Sequence, residues 1–217
     1  MIPAKYVGVP RNFLGLPAKA SAPETSRVWV LPVPYEATTT YGAGTRFGPD
    51  AILSASLQVE LYDRRRKCEP ADQLGFATLS SRAISSQSPE EMMSWISETI
   101  SEVFTGTPQP DLLVVLGGEH SISAGIGRGL SHLWKERPWV AVQIDAHADL
   151  RDEYEECRFN HACAGRRIVE YAPLFQIGVR NLSRTEADYL ASDPPITTIF
   201  AEDVACGEYL AELARFV

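Results

Sequence analysis

No stretch of the 217-residue chain approaches the roughly 18 consecutive apolar residues of a membrane helix, so no membrane association is expected. The amino terminus, Met1-Ile2-Pro3-Ala4-Lys5-Tyr6, lacks the basic segment and apolar core of a secretory signal, and a cytoplasmic location is the expectation. Cysteine is scarce. Cys68, Cys157, Cys163 and Cys206 form no Cys-x-x-Cys pair, which excludes a disulfide-dense secreted scaffold and implies mostly reduced thiols. Basic charge is also in deficit: 20 Lys and Arg against 28 Asp and Glu leave a net charge of −8. That balance argues against a general nucleic-acid binder and is compatible with a cationic substrate. The one basic cluster, Arg64-Arg65-Arg66-Lys67, reads as a solvated loop or helix end, and neither an internal repeat nor a low-complexity segment is found.

What is present is a chain 45% hydrophobic, long enough to bury a substantial core as one domain of residues 1–217. Short apolar runs alternate with helical patterns, as in parallel crossover units. Val28–Leu31, Leu112–Leu116, Trp139–Ile144, Phe175–Val179 and Ile196–Phe200 read as strands, the first ending at Pro32 and Pro34 because proline cannot donate to a central ladder. A long proline- and glycine-punctuated loop through Gly48 and Pro49, either functional or a surface excursion, precedes a helix expected from about Asp50 to Tyr62. Ser88-Pro89-Glu90-Glu91 has the form of a capped helix start, and Met92, Met93, Ile96, Ile100, Val103 and Phe104 follow at core spacing. Further helices are expected from about Ala162 to Tyr171, from a capping box at Ser183–Glu186 through Leu190, and from Glu202 onward.

The segment Val140-Ala141-Val142-Gln143-Ile144-Asp145-Ala146-His147-Ala148-Asp149 carries the chemistry, because an apolar strand runs straight into three potential metal ligands within five residues. Carboxylate and imidazole donors suit hard or borderline divalent cations such as Mn²⁺, Zn²⁺, Fe²⁺ or Co²⁺. Residues i and i+4 of an extended strand lie about 13 Å apart, too far to share an ion, so the chain must bend near Asp145 into a loop at the strand's carboxyl end. The segment Gly117-Gly118-Glu119-His120-Ser121 follows the strand Leu112–Leu116, and its glycines permit a tight turn presenting His120 as a fourth ligand. A histidine in that setting alone serves equally well as a capping or hydrogen-bonding group.

In order along the chain, Gly117–Ser121, Asp145–Asp149 and Asn160-His161-Ala162-Cys163 resemble the signature of the ureohydrolase family of arginases and agmatinases. Asp149-Leu150-Arg151-Asp152-Glu153-Tyr154-Glu155, leading to His161-Ala162-Cys163, resembles the agmatinase branch more than arginase, and Tyr41-Gly42-Ala43-Gly44-Thr45-Arg46-Phe47-Gly48-Pro49-Asp50-Ala51-Ile52 is similar to the amino-terminal agmatinase pattern. The resemblance implies a three-layer α/β/α fold with a mostly parallel sheet, incomplete at its carboxyl end. It further implies two manganese ions, one held by His120, Asp145 and Asp149, the other by Asp145 and His147, with Asp145 bridging and His161 shuttling protons. His132 matches nothing and reads as structural or solvent-exposed.

The implied reaction is hydrolysis of a guanidino compound, agmatine giving putrescine and urea in a polyamine-forming step, with guanidinobutyrate as a related alternative. A homo-oligomer is expected. The family's later Ser-x-Asp-x-Asp-x-x-Asp-Pro motif is not present, and Asp203, Glu208 and Glu212 have the wrong pattern to replace it. Weak occupancy of the second metal position is therefore expected. A truncated enzyme, a short homologue completed by another chain and an inactive homologue acting by association all fit, with the abrupt stop favouring truncation.

Overall fold

A computed structural model describes residues 12–81, 88–205 and 207–217; Met1–Tyr6 and Cys206, on which expectations were placed, lie outside them. The chain forms two compact units, Met1–Ser86 with Glu102–Glu119, and Gln87–Ser101 with His120–Val217.

In the first unit, β1 (Val28–Val33) is the middle strand of a parallel sheet between β2 (Phe76–Thr78) and β3 (Leu112–Gly117). All six residues of β1 are buried, which explains its unbroken apolar sequence. The strand does not end at Pro32 but continues to Val33. The β2 ladder stops at Val30↔Thr78, so the missing proline N–H falls where only β3 flanks the strand. The short helix α1 (Ala18–Ser21) precedes this sheet. Helix α2 (Gly48–Ser56) starts with Pro49 in its first turn but stops well before Tyr62. Beyond it, Leu57, Val59 and Leu61 alternate at two-residue spacing and offer no helical stripe to bury. The chain returns through α3 (Pro70–Leu74), closed by Gly75 at φ 62°, into β2; neither element was read from the sequence.

Helix α4 (Pro89–Thr105) carries the expected capping box: Ser88 donates its N–H to Glu91 while Glu91 donates its own to Ser88 Oγ. In the second unit β4 (Ala141–Ile144), β5 (Leu174–Val179) and β6 (Ile196–Phe200) form a parallel sheet in that order. Around it lie α5 (Ile122–Leu133), α6 (Ala164–Val169), α7 (Arg184–Leu190), α8 (Ala201–Val204) and α9 (Tyr209–Phe216). Gly207, at φ 70°, interrupts the single terminal helix expected from Glu202. Leu174 and Val179 pack with Ala148 and Leu150 on one side of β5, whereas Phe175 and Ile177 pack with Ile199 and the α9 residues Tyr209, Leu213 and Phe216. Strand β4 pairs with β5 alone among the described residues, and Val142 and Ile144, which share one face of it, are 43% and 81% exposed. No helix among the described residues is long and apolar enough to cross a membrane.

Candidate metal centre

The bend expected near Asp145 has a local cause. Strand β4 stays in register with β5 to Ile144↔Ile177, and the Asp145 N–H still donates to the Ile177 carbonyl. The Asp145 carboxylate then accepts the N–H of His147 at 2.8 Å, an Asx-type turn that replaces the strand ladder with a side-chain bond. The Ala146 carbonyl accepts from Arg180 and Asn181, and Ala148 donates to Asn181, so the loop is tied to the segment that follows β5. Asp149 sits at φ 52°, in the left-handed region, which reverses the chain and turns its carboxylate back toward Asp145.

His120 lies just before α5. Its Nδ1 is 2.6 Å from Asp149 Oδ2 and 3.6 Å from Asp145 Oδ2, and one donor atom from each of the three residues falls within 4.8 Å of the others. Burial by itself would lower the His120 pKa, but the hydrogen bond to Asp149 and the charges of Asp149 and Asp145 outweigh it, so the pKa is raised above the ordinary 6.5. A proton on Nδ1 and a divalent cation compete for the same place among these donors. One imidazole and two carboxylates within that span fit a hard or borderline cation, manganese included.

The remaining residues singled out from the sequence lie outside that trio. His147 is more than half exposed and has its Nδ1 3.4 Å from Asp145 Oδ1, so the two oxygens of Asp145 face different imidazoles. His161 opens the 3-10 turn His161–Cys163, which Asn160 caps by accepting the Ala162 N–H, and its ring meets Tyr154 edge-on at 6.3 Å. Burial pushes the neighbouring Cys163 thiol up to about 11, which leaves it protonated and unreactive at neutral pH. His132 is exposed in the last turn of α5, and Arg64–Lys67 are exposed as well.

Several supporting residues have roles around these loops that the sequence did not assign to them. Glu186 caps α7 as expected, but its second oxygen also accepts the Leu150 N–H at 2.9 Å, directly after Asp149. Gly165 admits the start of α6: a Cβ there would meet the Ala148 carbonyl at 2.8 Å. Beside His120 and Asp145 is a cavity of about 420 Å³ whose walls include Ile126, Trp134, Trp139 and Ile168. In the first unit, buried Glu119 accepts the N–H groups of Ala37 and Thr38 at 2.6 and 2.8 Å. Glu36 is brought down to about 2 by its bond with the Arg46 side chain and by the N–H groups of Gly44 and Arg46. These carboxylates organise the loop that follows β1, and only their place near Gly-rich segments hinted at it.

Known proteins share the sequence and the fold of this chain. An N(1)-aminopropylagmatine ureohydrolase of Synechocystis sp. is 36% identical over 205 residues, covering 94% of this chain and 66% of that protein. An agmatinase of Pyrococcus horikoshii is 38% identical over 175 residues, 80% of this chain and 58% of its own length. The chain thus spans 58–66% of the length of these relatives. Among solved structures, the agmatine ureohydrolase of Thermoplasma volcanium superposes with a TM-score of 0.79 at 26% identity, over 97% of this chain and 69% of that one. The proclavaminate amidino hydrolase of Streptomyces clavuligerus, at 23% identity and a TM-score of 0.78, shares the fold over 97% of this chain and 70% of its own. These likenesses establish the three-layer α/β/α architecture. The sequence profile of the arginase family matches residues 26–216, and the chain is a member of that family.

Proposed function

We propose that His120, Asp145 and Asp149 hold a divalent cation, manganese by family, and that the protein to which this chain corresponds hydrolyses a guanidino compound. The observation that carries the reading is the convergence of the three donors at the end of β4. Divalent ions at such a site lower the pKa of water toward neutrality and so supply the nucleophile. The chain's own residues supply the rest. Asp145, with one oxygen toward each imidazole, is suited to bridge two ions, the second shared with His147. Among the described residues, the donors offered to that second ion are Asp145 and His147. His161 is assigned the proton delivered to the departing amine, since urea separates from the amine only when that nitrogen is protonated.

The substrate class we assign is a guanidine with a cationic tail, agmatine or its N(1)-aminopropyl derivative, in keeping with the names of the relatives. A chain of net charge −8 is compatible with such a tail. The one-domain organisation, a place in polyamine formation and a homo-oligomeric state belong to the same proposal. A second reading, a non-catalytic homologue that binds one ion, is favoured by the single three-donor cluster among the described residues. The deciding experiment incubates the chain with manganese and each of the three guanidines and measures urea. Release from agmatine or its aminopropyl derivative is expected and excludes the non-catalytic reading; manganese binding without urea from any of them supports it.

A further inference from the structure

Strand β5 carries a glutamine where its neighbours are Phe175 and Ile177, and Gln176 is completely buried. Such a side chain is tolerated in a core only when its polar atoms are paired. In register across the sheet stand Gln143 on β4, Gln176 on β5 and Thr198 on β6. Thr198 donates its hydroxyl to Gln176 Oε1 at 3.0 Å, and Gln176 Nε2 donates to Gln143 Oε1 at 2.9 Å. A cross-strand ladder of this kind would be complete with those two bonds. The second hydrogen of Nε2 instead leaves the ladder and reaches the Ala148 carbonyl at 2.7 Å.

That carbonyl belongs to the peptide plane joining Ala148 to Asp149. Rotation of this plane sets φ of Asp149, which the structure holds at 52°, a left-handed value that non-glycine residues adopt at a cost, aspartate at a smaller one than most. The plane on the far side of Asp149 is held too, since its carbonyl accepts from Arg166 N–H at 2.9 Å and the Leu150 N–H donates to Glu186. Gly165 leaves the room that lets Gln143, Ala148 and Asp149 approach α6 so closely.

We infer that Gln176 is a positioning residue for the metal centre: by holding the Ala148 carbonyl it imposes the left-handed turn that brings the Asp149 carboxylate onto His120 and Asp145. The inference rests on the metal-site reading proposed above, and it deepens that reading by adding a supporting residue on β5, the strand next to the one that leads into the Asp145–Asp149 segment. Partners of this kind, removed from a metal site, typically change affinity by about 10- to 100-fold.

The test compares Gln176→Met, which keeps length and volume but loses both donors, with Thr198→Val, which damages the same ladder and leaves the bond to Ala148 intact. Two quantities are measured on the full chain: the manganese dissociation constant, and amide hydrogen exchange across residues 145–150 without metal. Gln176→Met is expected to bind manganese at least about 10-fold more weakly and to exchange faster in that loop while β5 stays protected. Thr198→Val is expected to lower the melting temperature with affinity and loop exchange unchanged. Should Gln176→Met fail to fold, Gln176→Asn, one methylene too short to reach Ala148, is judged by the same two measurements. Unchanged loop exchange, or a dissociation constant within about twofold of the parent, overturns the inference and leaves Gln176 a packing residue. If the parent binds no manganese, the metal-site reading fails, and loop exchange alone then decides the role of Gln176.

Discussion

At the scale of single residues, the contact between His120 and Asp149 links protonation to both stability and metal binding. The folded pKa of His120 is raised, so the protonated form is favoured by folding. This contribution to stability is fully present below the unfolded value of about 6.5 and is lost as pH rises through the folded value. Urea midpoints of the metal-free chain should therefore decline as pH rises above about 6.5, and His120→Gln should flatten that slope; an unaltered slope would show that His120 is not its source. Metal binding has the opposite sign, since a cation needs the imidazole lone pair. The roles of Asp145 and His161 separate in the same way. Asp145→Ala should remove bound manganese, whereas His161→Ala should retain it and lower turnover by about 100-fold, the scale of one general acid. Metal analysis of the two variants decides, and loss of manganese from His161→Ala would make that histidine a ligand.

At the scale of elements, the loop between Asp149 and His161 turns on a two-residue reversal. Tyr154 and Cys157 exchange both backbone hydrogen bonds at 3.1 Å, and the residues between them, Glu155 and Glu156, have φ of 51° and 59°. Positive φ at both positions is the type I′ pattern, for which Asn-Gly is the preferred pair and two glutamates are poor. Glu155→Asn combined with Glu156→Gly should stabilise the chain by about 1 kcal/mol in urea unfolding; a loss of stability would count against the turn.

The same comparison shows what a sequence reading reaches. Strands β1 and β3 to β6 were visible as apolar runs, and both capping boxes as Ser-x-x-Glu spacings, because each signal is local. Strand β2 has only three residues and shows no period, and the end of α2 depends on what Leu57 and Val59 would have packed against. Of the site, Asp145, His147, Asp149 and His120 stood out as chemistry-bearing types at the ends of strands. Gln176 did not, since a lone glutamine in a strand acquires meaning only when β4 and β6 lie on either side of it.

At the scale of the whole molecule, the free edge of β4 matters most. Among the described residues that edge has no partner strand and so offers backbone groups to another one; the strand exposes Val142 and Ile144 and ends in the Asp145–Asp149 loop. The chain should self-associate at this edge, and Ile144→Lys, a charge of the kind natural edge strands use, should lower the weight-average mass seen by sedimentation or light scattering. An unchanged mass would move the association elsewhere or deny it.

The left-handed turn at Asp149 also bears on when the protein becomes competent during synthesis. A ribosome that has translated as far as Asp149 has already made all three donors, but the groups that hold their loop come later: Arg166, Gln176 and finally Glu186, which lies 36 residues beyond Leu150. Nascent chains arrested before that point should pass manganese by, and capture of the ion should begin only once β5 and α7 have left the exit tunnel.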